Sequence, residues 1–271
     1  MGFETIQLER DGAVATLTLN RPQRLNALSQ AMLGEIQQAC DAVEADEDVR
    51  ALILTGAGKA FSSGFDLQDQ AASPPQSEAE WRPVLRRDFE AVMRFWTLAK
   101  PTIAAVNGPA LAGGCEMALA CDVTLAGESA VFGEPELQFG AGIVVMLLPW
   151  LVGPKKAKEI ILLGLDDIDA AEARAIGMVN RVVPDGELLQ TARRMARRLA
   201  VIDPMVVRRT KAALNQSLDI AGMTQALEAA LEADVALEGE GSPDKRAFLA
   251  EARKGGLRAA LAWRTARFSE D

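Results

Sequence analysis

The chain has 271 residues, is 49% hydrophobic and carries a net charge of −9. That suits one large domain, or a domain plus an appendage, with a sizeable core; it suits nucleic acid poorly, because phosphates need a basic face. Histidine and tyrosine are absent, which excludes Ser-His-Asp and Cys-His catalysis, histidine metal sites and a phenolic acid.

Residues 13–19 alternate, with Ala15, Leu17 and Leu19 on one face and Thr16 and Thr18 on the other. This predicts a strand, ended by Asn20-Arg21-Pro22. Ser29 is placed to cap a helix whose apolar residues Met32, Leu33, Ile36, Cys40 and Val43 keep helical spacing. Residues 44–48 read as a solvated acidic connection and 49–55 as a buried parallel strand. Gly56-Ala57-Gly58-Lys59 turns the chain. It lacks the spacing of a nucleotide loop and the Ser or Thr that follows its lysine. Residues 71–83, rich in Ser, Pro, Gln and Glu, are expected to form a mobile surface loop. Helical spacing returns at 88–98, and 102–106 and 121–126 are further buried strands. Strands alternating with helices imply an α/β fold with right-handed crossovers.

Beyond Pro154 the pattern is helical, at 155–164, 169–177, 186–201, 204–217, 220–238 and 242–254. The division expected is a core over 1–203 and a helical region over 204–271. The last helices carry Leu214, Leu218, Met223, Leu227, Leu231, Val235 and Leu237, a face that needs cover from this chain's core or from a neighbouring subunit. Arg193, Arg194, Arg197, Arg198, Arg208 and Arg209 read as polar helix faces or, alternatively, as a docking patch for a phosphate-bearing ligand. Cys40, Cys115 and Cys121 show no metal or disulfide spacing and are expected as buried, reduced thiols of a cytoplasmic protein. No signal peptide is visible, and the apolar run at 143–152 is too short to span a membrane.

The stretch from Asn107 to Asp122 is the most informative. It reads as a strand end, a glycine turn at Gly113-Gly114, and an apolar helix carrying Glu116 in its first turn. Free amides at such a turn, backed by the helix dipole, can hold a negative oxygen beside an acid or base. Cys115 lies there too, but without a histidine to activate it a structural thiol is expected.

Several separated segments together resemble the enoyl-CoA hydratase/isomerase (crotonase) superfamily. They are Asn20-Arg21-Pro22 with Asn26-Ala27-Leu28, the run Phe61-Ser62-Ser63-Gly64-Phe65-Asp66-Leu67, the turn with Cys115-Glu116, Phe132-Gly133-Glu134-Pro135-Glu136, and residues 170–180. The resemblance implies a ClpP/crotonase-like spiral of ββα units with a C-terminal helical trimerisation region, as a homotrimer or homohexamer. It also implies an acyl-CoA thioester substrate, no nucleic acid or membrane partner, no metal, and no cofactor beyond the coenzyme A of the substrate.

By the same resemblance the N–H groups of Phe65 and Gly113 form an oxyanion hole. Glu116 positions and activates water, and Glu136 delivers the proton to the α-carbon. Arg24, Leu25, Ala27, Ser63, Asp66, Leu67 and Gly114 fall where the family grips substrate and coenzyme A, with Arg24 or Lys59 placed to meet a phosphate. The expected reaction is hydration of a 2-enoyl-CoA to a 3-hydroxyacyl-CoA. The alternatives are a double-bond isomerase or another reaction of the superfamily, and a non-catalytic binding protein of the same fold.

Two departures stand out. The family's triple glycine reads Ala112-Gly113-Gly114. The loop after Glu136 is short and apolar, from Phe139 to Trp150. It reads either as the lining of a pocket for a bulky hydrophobic acyl group or as core packing.

Overall fold

The computed structural model describes residues 2–72 and 74–268. Strands β1 (Ile6–Asp11) and β2 (Val14–Leu19) pair antiparallel. Helix α1 (Gln30–Ala45) follows; Ser29 Oγ accepts from the Met32 amide at 3.2 Å, as the capping pattern predicts. Strand β3 (Ala51–Gly56) leads to the short α2 (Leu67–Ala72) and the long α3 (Glu78–Thr97). Strands β4 (Thr102–Val106) and β5 (Ala110–Leu111) precede α4 (Gly113–Leu119). Strands β6 (Val123–Gly127) and β7 (Val131–Gly133) precede a 3-10 turn at Glu136–Phe139. Then come α5 (Leu148–Val152), α6 (Pro154–Leu163), β8 (Ile168–Asp169), α7 (Ala170–Ala175) and β9 (Arg181–Val183). Helices α8 (Leu188–Ala200), α9 (Pro204–Ile220), α10 (Met223–Glu240) and α11 (Pro243–Phe268) close the chain.

Each turn of the chain feeds two sheets. The larger runs β1-β2-β3-β4-β6-β9 and is parallel apart from β1. The smaller runs β5-β7-β8, and parallel bridges between Leu28 and Phe65 and between Ser62 and Ala110 extend its order toward the start of the chain. Strand pairs followed by helices thus wind as a spiral, which is the expected α/β, crotonase-like architecture. Alternation decides the faces. Leu52 and Leu54 enter the main core, whereas Ala51 and Ile53 join Ile103, Ala105 and Leu125 beneath Leu188, Ala192 and Ala196 of α8.

The expected loop at 71–83 is corrected at both ends, because α2 runs to Ala72 and α3 starts at Glu78 and carries Pro83 inside it. Burial of Trp81 and Leu85 outweighs the hydrogen bond that the proline forfeits. Ser73 lies outside the described residues. The last helix runs on past Lys254 to Phe268, with a break at Gly256 (φ 77°). The hairpin strand β1 was not foreseen, because only Ile6 of its side chains is buried.

Cover for the terminal helices is divided. Met223, Leu227, Leu231 and Val235 of α10 are buried in this chain's own core, and Arg86 of α3 pairs with Glu228 at 2.6 Å. Met205, Val206, Leu214 and Ile220 of α9 remain exposed. Among the described residues no helix is long and apolar enough to cross a membrane.

Candidate active site

The site lies where two adjacent rungs of the small sheet end. In the first, Leu28 N–H donates to Gly64 O at 2.8 Å and Asp66 N–H to Leu28 O at 3.0 Å. That pattern turns the Phe65 N–H to the opposite edge. In the second, Leu111 N–H donates to Ser62 O and Ala112 N–H to Gly133 O, and Gly113 opens α4. Among the described residues neither the Phe65 nor the Gly113 amide has an acceptor.

The two turns touch. A Cβ at Gly64, which sits at φ +90°, would meet Ala112 Cβ at 2.7 Å, Leu111 O at 3.0 Å and Gly113 N at 3.4 Å. A Cβ at Gly113 would fall 2.5 Å from the Phe65 ring. Only glycine allows this approach. Ala112 itself has φ 53° and ψ −134°, a conformation costly for a residue with a side chain.

The Phe65 turn is held by Arg21 and Asn26, which had no expected role, and by Asp66, which was expected to grip substrate. Arg21 donates to Asp66 Oδ2 at 2.8 Å and to Ala27 O at 2.7 Å. The buried Asn26 donates to Ala57 O and Ala60 O, accepts from the Arg21 amide, and sits at φ 54°. Asp66 Oδ1 accepts from Gln68 N–H at 3.0 Å, so both its oxygens are engaged inside the protein. Leu25, Ala27, Ser63 and Leu67 gather on this same turn, joined by Ser63 N–H to Leu25 O at 3.0 Å. Gly114 is packed against Ser62, leaving no room for a Cβ. Arg24 and Lys59 are exposed. The Gly56 and Ala57 amides are taken by Asn107 Oδ1 and Leu19 O, which leaves no phosphate cradle there.

Glu116 and Glu136 come together, and a third acid joins them. Single carboxyl oxygens of Glu116, Glu134 and Glu136 all lie within 4.8 Å of one another. Glu116 and Glu134 are buried. Glu136 is half-buried as a residue, but its Oε2, like that of the other two, is sealed from solvent with no hydrogen-bond partner. Burial, then the charge of Glu136, pushes Glu116 well above the ordinary carboxylate range. Burial raises Glu134 likewise, and raises Glu136 to about 8. The Val145 amide donates to Glu116 Oε1 at 2.8 Å, which favours that group's anionic form. A cation would need the trio ionised, the opposite of what burial imposes, and none is assigned to it.

More acids stand behind. Burial lifts Asp88 of α3 to about 7 and Asp234 of α10 to about 6. The Cys115 thiol is buried and raised far above its usual value by desolvation, as an inert thiol is. Ile143, Val144, Val145 and Leu147 are buried in the main core, so the short loop is in large part core packing. Nearby, a cavity of about 630 Å³ opens between Leu67, Trp81, Phe139, Ala141, Lys245 and Phe248.

Comparison with known proteins points the same way. The family model described as enoyl-CoA hydratase/isomerase matches residues 9–242. The crystal structure of an enoyl-CoA hydratase/isomerase from Xanthobacter autotrophicus Py2 superposes with a TM-score of 0.98 at 61% identity, covering 99% of this chain and 100% of that one. A probable enoyl-CoA hydratase of Mycobacterium bovis is 38% identical over 81% of this chain and 84% of its own length. The short-chain-enoyl-CoA hydratase of Clostridium acetobutylicum is 39% identical over 80% and 84%.

Proposed function

The chain belongs to the enoyl-CoA hydratase/isomerase family, and we propose that it adds water across the double bond of a 2-enoyl-CoA to give a 3-hydroxyacyl-CoA. One observation carries this reading: the Glu116 and Glu136 carboxyls lie within 4.8 Å of each other, next to the touching turns at Phe65 and Gly113. Relatives named as enoyl-CoA hydratases support it.

The chemistry follows from the groups present. The thioester oxygen takes up the Phe65 and Gly113 amides. As water attacks the β-carbon, negative charge moves onto that oxygen, and each amide stabilises it by roughly 3 kcal/mol. Glu116 orients the water and takes its proton as the anion, the form that the Val145 amide favours against the opposing effect of burial. Glu136, protonated at neutral pH, gives its proton to the α-carbon. Two buried acids in opposite protonation states thus divide one addition.

Leu25, Ala27, Ser63 and Leu67 gather where the thioester and pantetheine would run, with exposed Arg24 and Lys59 available to phosphates. Gly114 serves this grip by letting the Ser62 turn pack close. Asp66 serves it indirectly, by holding the turn through Arg21. The reaction calls on no metal or redox cofactor; coenzyme A arrives with the substrate. Exposed Leu162, Leu163, Met205, Val206, Leu214 and Ile220 support burial between copies, in a trimer or a pair of trimers. Three buried free cysteines suit the reducing cytoplasm. The test is loss of enone absorbance from crotonyl-CoA: the chain hydrates it, and a Glu116→Ala, Glu136→Ala double variant does not. Full activity in that variant sinks the mechanism.

A further inference from the structure

We propose that Glu134 is a positioning residue for Glu136, donating a hydrogen bond from its own carboxylic acid to the Glu136 carboxyl. The inference rests on the hydratase reading only for what Glu136 then does. Glu134 follows Gly133 at the end of β7, where its amide donates to Leu165 O at 2.9 Å. Its residue is 2% exposed, so it is anchored and buried.

As carboxylates, Glu116, Glu134 and Glu136 are acceptors only. Each leaves Oε2 buried and unpartnered, and one carboxyl oxygen of each lies within 4.8 Å of the others. Three negative charges so close and so dry are prohibitive. A proton on Glu134 removes one charge and turns an acceptor into a donor, and a carboxyl oxygen of Glu136 lies within 4.8 Å of one of Glu134 to accept it.

Among the described residues, the side chains that face Glu134 and Glu136 are otherwise acidic, apart from one thiol. Facing Glu134 are the Cys115 thiol and Glu116 of α4 and Glu136 of the 3-10 turn. Behind Glu116 and Glu136 stand Asp234 of α10 and Asp88 of α3. Lys245, which faces Asp234, is paired with Glu238. The device is one residue long, and Gln at this position would keep a donor while losing the titration.

The test compares the full-length protein with Glu134→Gln and Glu134→Ala. Infrared difference spectra of the unliganded proteins at neutral pH read the carbonyl stretch of protonated carboxylic acids. That band weakens in Glu134→Gln. With crotonyl-CoA, Glu134→Gln stays within a few-fold of wild-type kcat, whereas Glu134→Ala loses on the order of tenfold or more with KM little changed, because Glu136 is no longer held in line. An unchanged infrared band, or wild-type kcat in Glu134→Ala, overturns the proposal. A parent protein with no hydration of crotonyl-CoA counts against the hydratase reading instead, and the infrared band still decides the role of Glu134.

Discussion

The Val145 amide donates a 2.8 Å hydrogen bond to Glu116 Oε1, tying the acid on α4 to the short apolar loop that follows the 3-10 turn. The loop therefore does two things. Its aliphatic side chains fill the core, and its backbone selects which Glu116 oxygen is free. The other oxygen, Oε2, is buried without a partner, and the Glu116 carboxyl is part of the three-acid cluster.

Glu116→Gln is the informative substitution here. Its carbonyl still accepts from Val145, so the fold persists, but the amide cannot take a proton from water. A kcat loss of roughly 10²–10⁴ is expected, with urea unfolding close to the parent. A kcat within twofold of the parent, measured by enone absorbance, removes Glu116 from the proton chemistry.

The pH profile depends on the proton of Glu136. Burial raises this group from 4.5 to about 8, so the acid form dominates at neutral pH and is lost above that point. Hydration kcat is expected to fall on the alkaline side with a midpoint near 8, and the fall is absent in Glu136→Gln, which is slow at every pH. Stability shares the sign. The folded state binds a proton that the unfolded chain has released above about 4.5, so this contribution declines as pH rises toward 8. Urea midpoints at pH 6 and pH 9 check it, and a higher midpoint at pH 9 contradicts it.

Arg21 and Asp66 hold the Phe65 turn through a 2.8 Å ion pair that is largely buried. Arg21→Met leaves Asp66 without its partner, and a stability loss of about 3 kcal/mol is expected. Because Phe65 adjoins Asp66, kcat should drop as well. Chemical denaturation and crotonyl-CoA kinetics on the same preparation measure both, and a variant unchanged in both gives the pair no part in the site.

Ala112 occupies a backbone conformation suited to glycine, φ 53° and ψ −134°. Ala112→Gly should relieve strain and stabilise the fold by about 1 kcal/mol, net of glycine's greater unfolded freedom. A raised urea midpoint with unchanged m-value is the expected result; a lowered midpoint means that the alanine methyl packs better than its strain costs.

Much of this arrangement was legible in the sequence. Alternation located β2, and dense apolar runs located the buried parallel strands β3, β4 and β6, whereas the three-residue β7 and β9 were not read. The absence of histidine pushed catalysis toward carboxylates, and the motif set singled out Glu116, Glu136, Phe65 and Gly113. What stayed hidden depends on long-range packing. Glu134 occupies a motif position open to many residue types, and nothing local shows that it folds against Glu116. Arg21 and Asp66 stand 45 positions apart, so their pairing has no local signature. The helical first turns of α3 were masked by a proline whose cost is offset by the burial of Trp81 and Leu85. Asp88 and Asp234 sit in ordinary amphipathic helices, and their burial follows from α10 folding back onto α3.

The central claim is that water adds to the enoyl thioester at the Glu116–Glu136 pair. Crotonyl-CoA incubated with the protein in water enriched in heavy oxygen, and followed by mass spectrometry, tests it most directly. The account predicts a thioester heavier by one water, bearing the heavy oxygen on its acyl chain and none in the absence of protein. A product of unchanged mass, or free coenzyme A with a labelled acid, contradicts it.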